Sequence, residues 1–293
     1  MATTVDEDRR PQATHQAELA GLDALDIAAA PRRALVARTW SVAWPKLGAL
    51  VLALFVWQVV VWSGWKAEYV LPGPAKVLPR LWDDFGDFVD AARITLQRAV
   101  VGFAIAVVIG TLIGALIARS RILRSAIGAM VTSLMTMPSI AWFPAAIVLF
   151  GLNESSIRFV IVIGAAPSIA NGFIAGVDNT PPILMRAARV LGARGLRAFR
   201  HVVLPAALPT YVAGLKQGWA FAWRSLLAGE LLVPIAGQIS LGRELDEARN
   251  LADYTGLYAT MIMILAIGLA ADALFSASER RIRRRYGLVD AAA

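Results

Sequence analysis

The sequence predicts an all-α integral membrane protein with six transmembrane helices, and three observations carry that expectation. Of 293 residues, 58% are hydrophobic and only 17% charged, whereas a water-soluble chain is about a quarter charged. The mean hydropathy is +0.60. Stretches without Asp, Glu, Lys or Arg that match the roughly 20 residues a helix needs to cross a bilayer recur along the chain.

Lys46 and Lys66 enclose 19 such residues, and Arg98 and Arg119 enclose 20. Arg124 and Glu154 enclose 29, Arg158 and Asp178 enclose 19, and Asp253 and Asp272 enclose 18. A sixth apolar segment, from about Pro205 to Ala236, is interrupted by Lys216, Arg224 and Glu230. The first span starts too far into the chain and runs too long for a cleaved signal. The long third stretch carries Pro138 and Pro144 and reads as one kinked helix with interfacial flanks.

Orientation follows from the basic residues, which concentrate on the cytoplasmic side. With the N-terminus inside, 19 of the 29 Lys and Arg fall in cytoplasmic segments and eight in external ones. Both termini are therefore expected in the cytoplasm of a plasma-membrane protein. The formal charge of +8 is spread over several inner segments without the interleaved aromatics that would stack bases, so no nucleic acid is expected. Anionic membrane lipid accounts for the basic tail. The absence of cysteine excludes disulfides and thiolate chemistry, and two histidines, His15 and His201, leave little for a metal site.

Three regions are expected. Residues 1–45 form a cytoplasmic arm, largely disordered, with a short helix possible around Leu19, Leu22 and Leu25. Residues 46–277 form the six-span domain, and residues 278–293 a basic tail. After the first span, Leu71-Pro72-Gly73-Pro74 reads as a rigid turn. Val77, Leu81, Phe85 and Phe88 then recur at helical spacing, as in an interfacial amphipathic helix.

The loop at about 178–206 has the build of a stiff cytoplasmic knob. It runs Arg186-Ala187-Ala188-Arg189-Val190-Leu191-Gly192, then nine residues, then Val202-Val203-Leu204-Pro205. Small alanines permit close approach of another surface, Gly192 and Gly195 permit a bend, and Pro205 suits the first turn of the next helix. A solvated basic loop is the plainer alternative.

This run resembles the "E-A-A, three residues, Gly, nine residues, Ile-x-Leu-Pro" loop of permease subunits in bacterial ATP-binding-cassette (ABC) importers. The similarity extends from about Leu71 to Arg285. Thr95-Leu96-Gln97-Arg98, Gly102-Phe103, Met137-Pro138, Phe143-Pro144, Phe150-Gly151-Leu152 and Ala222-Trp223…Gly229-Glu230 resemble the nitrate/sulfonate/taurine branch. The resemblance implies a type I importer fold in which the loop is the helix that couples to an ATPase subunit. Arg186, Ala187, Ala188, Leu191, Gly192, Val202, Leu204 and Pro205 would serve that docking. Arg186 replaces the family's usual Glu, so the partner groove is expected to present an acid.

The resemblance further implies a homodimer of this chain, two ATPase subunits holding ATP and Mg, and an extracytoplasmic solute-binding protein. None of the four lysines follows a glycine, so the chain has no phosphate-cradling loop of its own and is expected to be neither an ATPase nor another enzyme. The solute would be a sulfonate, taurine or nitrate-type anion. A thiamine or riboflavin precursor or bicarbonate is the alternative, and an ATPase-independent channel or carrier is the rival class.

Ionisable residues inside spans usually face an interior or a wet cavity. Arg224, flanked by Trp219, Phe221 and Trp223, could hold an oxyanion or join an internal network with Glu230. Glu230 reads as structural or gating, and Lys216 as a snorkelling residue near the inner end. Trp142 and Phe143, between two prolines, are candidates to line a constriction. Asp272 receives no role.

Overall fold

The computed structural model describes residues 32–235 and 237–285. Arg9, Arg10, the Leu19–Leu22–Leu25 segment and the end of the tail lie outside the described residues. The chain divides into two units, residues 1–65 and 66–293.

In the first unit, α1 (Arg32–Trp62) is one helix that continues through Pro45. Its apolar window, Trp44–Trp62, is hydrophobic around the whole circumference, as suits lipid rather than a water-facing surface. The helix thus begins well before the apolar window, inside the segment expected to be a disordered arm.

The second unit opens with α2 (Pro74–Asp83), which starts at Gly73 with Pro74 in its first turn. Val77 is its buried anchor, while Leu78 and Trp82 stay exposed. Next come α3 (Phe85–Arg119), α4 (Arg121–Thr136), a 3-10 turn at Ser139–Trp142, α5 (Phe143–Phe150) and α6 (Glu154–Asp178). After α7 (Pro182–Val190) and two short turns come α8 (Leu204–Leu232), α9 (Leu241–Asn250) and α10 (Tyr254–Arg285). No strand occurs among the described residues.

The core is a sandwich of three helices with α6 in the middle. Lipid offers no hydrophobic gain for helix association, so tight spans rely on small residues that let backbones approach. On α3, Gly102, Gly110 and Gly114 lie against Ile161, Ile169 and Phe173 of α6. On the other side of α6, Gly172 and Gly214 of α8 meet backbone to backbone. A Cβ on Gly172 would stand 2.6 Å from the Gly214 Cα, and one on Gly214 would stand 2.7 Å from the Gly172 Cα.

The third apolar stretch differs from its expectation. It is not one kinked helix but two, α4 and the Ser139–Phe150 segment, bent by 105°. Proline disfavours the helical region for its predecessor, and Met137 accordingly sits extended at φ −80°, ψ 127°. Pro144 fits the first turn of α5, where no amide donor is needed.

Among the described residues, four helices are long and apolar enough to cross a membrane, and the bent pair makes a fifth candidate. The charged α8 falls outside that set, although 29 residues reach about 43 Å at 1.5 Å per residue. The final helix runs on to Arg285, so the basic tail expected from residue 278 begins as helix.

Overpacking of the α6–α8 crossing gives a direct test. Gly214→Val is expected to cost about 1–3 kcal/mol, seen as earlier thermal unfolding in detergent. Gly86→Ala has nothing within 4 Å of its new Cβ and is expected to leave the transition unchanged or slightly higher.

Candidate functional site

The cytoplasmic-type knob is built by its caps. Pro181 and Pro182 start α7, and the helix stops at Gly192, whose φ of +79° is open to glycine at little cost. Ala193 N–H donates to the Ala188 carbonyl (2.8 Å) and Gly192 N–H to that of Arg189 (3.1 Å). This pair of bonds is the Schellman closure of a helix C-terminus. Gly195 (φ +54°) turns the chain into the short turn Leu196–Ala198 and a π-turn, Phe199–Val203, that feeds α8.

The knob buries small residues inward and presents large apolar ones outward. Ala188, Ala198 and Val203 are buried, whereas Val190, Leu191 and Leu196 are 87%, 84% and 75% exposed. Arg186, Ala187, Gly192 and Leu204 are exposed, and Val202 and Pro205 half-buried. Arg186, Arg189, Arg194, Arg197 and Arg200 ring the tip. None of the five meets an acid among the described residues. The tip thus leaves Val190, Leu191 and Leu196 without apolar partners, beside five exposed arginines.

A buried ion network stands at the far end of the same bundle. Arg98 of α3 and Glu230 of α8 pair at 2.9 Å, and the Glu230 side chain is fully buried. The second Glu230 oxygen accepts from Thr95 Oγ1 and from Gly242 N–H, each at 3.0 Å. Arg98 donates from Nε to Glu154 Oε1 (2.8 Å) and from Nη2 to Gln238 Oε1 (2.8 Å). Thr95 Oγ1 also accepts from Leu241 N–H at 2.9 Å. Four helices, α3, α6, α8 and α9, are thereby tied through two side chains.

Glu230 is therefore a structural tie, and the internal network considered for Arg224 belongs to Arg98 instead. In the sequence Arg98 stands out as an external charge, as the boundary of the second apolar stretch and as the end of the Thr95-Leu96-Gln97-Arg98 motif, with no partner marked. The signal that could have found it is Thr95 and Arg98 at i, i+3, one helical face turned to the bundle. The residue without an assigned role, Asp272, pairs with Lys216 at 3.1 Å, and Lys216 also donates to Ser276 at 2.8 Å.

The expected aromatic lining of Arg224 separates into two faces. Trp219 and Trp223, one turn apart, stack at 6.4 Å and pack away from the cleft. Trp219 meets Phe103 at 5.3 Å and Phe275 at 5.7 Å between ring centroids. Arg224 is exposed on another face, its guanidinium 5.9 Å above the Phe221 ring. Arg224 borders a cleft of about 350 Å³ with Met137, Pro138, Ser139, Gly164 and Phe221. Phe143, expected on the pathway, is instead buried in the core where Gly229 leaves room for its ring. Trp142 is half-buried against the same core and does not border the cleft.

Acids crowd the end of the bundle that bears α9. Partial burial, then the charges of Glu247, Asp87, Asp253 and Asp84, push the Glu244 carboxyl above its ordinary value of 4.5.

The chain belongs to the family of binding-protein-dependent transport system inner membrane components, whose model matches residues 106–284. It is 34% identical over 228 residues to a probable ABC transporter permease protein of Brucella melitensis, covering 77% of this chain and 90% of that one. A nitrate import permease of Synechocystis sp. is 29% identical (76% and 83% covered). The taurine transport system permease of Escherichia coli is 27% identical (83% and 90% covered). A methionine ABC transporter solved in an inward-facing conformation shares the fold with a TM-score of 0.55 at 22% identity, covering 64% of this chain and 92% of that one. The resemblance read from the sequence, to the nitrate/sulfonate/taurine branch, is thereby borne out. The chain is a multi-pass permease subunit of the ABC importer class.

Two measurements follow from the charges. Glu230→Ala leaves Arg98 and two donors without their acceptor, and is expected to cost about 3–5 kcal/mol, read as lost thermal stability of the purified chain. For Glu244 the folded state holds its proton more tightly than the unfolded one, so stability is present below 4.5 and falls as pH rises through the raised value. Glu244→Gln is therefore expected to melt higher than wild type at neutral pH, with the gap closing as pH falls toward 4.5.

Proposed function

We propose that this chain forms the membrane pathway of an ATP-driven importer for a small anion, an organic sulfonate, taurine or nitrate-type solute. It works as a homodimer with two separate ATPase subunits, which hold ATP and Mg, and an extracytoplasmic binding protein that delivers the solute. The observation that carries the reading is the knob. A channel or secondary carrier has no use for a capped helix that offers Val190, Leu191 and Leu196 to a partner.

Six spans complete the reading, with α8 as the charged one. Its Lys216 and Glu230 are neutralised by Asp272 and Arg98, which lowers the cost of placing them in hydrocarbon. Both termini and the knob then face the cytoplasm, in accord with the basic bias. The anion class is supported by the import permeases for nitrate and taurine among the relatives and by Arg224 in the cleft. A cationic vitamin precursor fits that charge poorly, whereas bicarbonate fits it.

ATP binding would close the ATPase pair and move the docked knobs, turning the pathway outward; hydrolysis would reset it. The knob can shift this equilibrium only if it binds differently in the two states. The collar of arginines calls for an acidic rim on the ATPase groove, in keeping with Arg186 where relatives of this kind carry Glu.

Mild-detergent purification tests the assignment. Wild type is expected to bring down a stoichiometric ATPase with a phosphate-binding loop. Leu191→Asp, at an exposed position that the spans do not use, is expected to lose that subunit by at least tenfold while the chain itself stays monodisperse and unaggregated. A wild-type chain that emerges alone and intact moves the assignment to a channel or carrier.

A further inference from the structure

The cleft at the broken span contains more than a lone cation. Ser225 of α8 is fully buried, and its hydroxyl lies 2.7 Å from Ser139 Oγ and 2.8 Å from the Phe221 carbonyl oxygen. Ser139 stands at the break between α4 and α5 and borders the same cleft as Arg224. Gly164 of α6 makes the pair possible, since a Cβ there would stand 2.6 Å from Ser225 Oγ and 3.2 Å from Ser139 Cβ.

A hydroxyl has one proton and two acceptor lone pairs. Ser225 can therefore donate to Phe221 or to Ser139, but not to both at once. With no acceptor in the cleft, Ser225 can rest on the Phe221 carbonyl, a back-bond one turn along its own helix. With an oxyanion in the cleft, Ser225 donates to Ser139, and the Ser139 proton is released to the anion. The Phe221 carbonyl is one turn inside α8 and retains its helical partner. The cleft thus gains a donor on loading without burying an unsatisfied polar group.

Arg224 supplies the charge that fits this donor. It has no acidic partner among the described residues, unlike Lys216 and Arg98. The Phe221 ring supports its guanidinium from one face, which leaves the N–H fork available to oxygen atoms. A bare guanidinium in a span is costly unless it faces water or a counter-charge, and a passing anion provides the latter.

We infer that Arg224, Ser139 and the buried Ser225 form a transient site for a small, singly charged oxyanion, with Ser225 switching its proton between Phe221 and Ser139 as the site fills. The inference rests on the importer reading only in placing this cleft on the solute's path. Its selectivity is for charge and oxygen geometry rather than for the remainder of the solute, as expected where a separate binding protein chooses the molecule.

Methanesulfonate and its neutral near-isostere dimethyl sulfone test it, with the purified complex in lipid nanodiscs and binding read by saturation-transfer NMR on the methyl protons. Methanesulfonate is expected to give a saturable signal that nitrate displaces, and dimethyl sulfone none. Arg224→Gln is expected to weaken binding at least tenfold, Arg224→Lys less, and Ser139→Ala about threefold to tenfold. Ser225→Ala is expected to weaken binding less than Ser139→Ala, because Ser139 keeps its proton and loses only the hydrogen bond it accepts.

Equal signals from both probes, or undiminished methanesulfonate binding in Arg224→Gln, overturn the site. So does dissociation of the complex in both Arg224→Gln and Arg224→Lys, which would make Arg224 an interface residue. Co-purification of the ATPase is scored in the same samples. Arg224-dependent binding by a chain without an ATPase upholds the site and removes the importer reading. An ATPase with Arg224-independent binding does the reverse.

Discussion

A bilayer supplies no water to a charge that enters it, so each polar group in a span must bring its own partner. The Arg98–Glu230 pair meets that demand where α3, α6, α8 and α9 come together. The Glu230 carboxylate gathers a guanidinium, a hydroxyl and a backbone amide, and Arg98 adds a second carboxylate and a side-chain amide. A buried pair this fully hydrogen-bonded resists replacement of either member alone, because the survivor is left with several unmet bonds. It also sets where α9 lies. Gly242 rides so close over Glu230 that a Cβ would stand 2.4 Å from the Glu230 Cβ, so the short helix is held by its backbone and not by apolar packing alone.

The glycine contacts of α3, α6 and α8 answer the same constraint by different means. Where no hydrophobic gain separates helix from lipid, only close surfaces favour a helix neighbour. Gly172 and Gly214 give that closeness at one crossing, and the ion network fixes register at the far end. The two devices leave one face of α8 uncommitted, and Arg224 lies on it. The two acids that pair with or on this helix are already spent, Glu230 on Arg98 and Asp272 on Lys216.

What was legible in the sequence was whatever a charge or a spacing marks. Uninterrupted apolar stretches located α3, α6 and α10 and fixed one end of each, at Arg119, Asp178 and Tyr254, but α3 and α10 run on for more than ten residues past the charges at their other ends. The knob was legible because alanines, Gly192 and Pro205 each enforce a local geometry. The third span misled because proline inside an apolar run is compatible with either a kink or a break. Only the extended backbone at Met137 separates the two. The partners of Arg98 and Lys216 were illegible because pairing between helices distant in sequence depends on packing register, which a single sequence does not display. Phe143 and the two tryptophans misled for a related reason: an aromatic in a span can pack or line a path with the same neighbours in sequence. At Phe143 packing won, because Gly229 opposite leaves room for its ring.

One helix joins every feature singled out here. The α8 rod leaves the knob through the Phe199–Val203 π-turn, passes Arg224 and ends just beyond Glu230. From Pro205 the rise of 1.5 Å per residue puts Arg224 about 29 Å and Glu230 about 38 Å along the axis. Irregular turns and the prolines at 205 and 209 gather at its knob end, while the stretch from Lys216 to Glu230 is uninterrupted helix. A displacement of the knob, on the importer reading, therefore has a joint where the helix begins and a stiff lever beyond it. The cleft meets that lever on one side and the broken span on the other, through the Ser225–Ser139 pair. Movement of α8 against the Ser139–Trp142 turn must change that pair's separation, and the hydrogen-bond donor offered to the cleft changes with it. A population shift driven from the cytoplasmic face would then reach the anion through two serines and an arginine on or against a single helix. No longer chain of contacts is required.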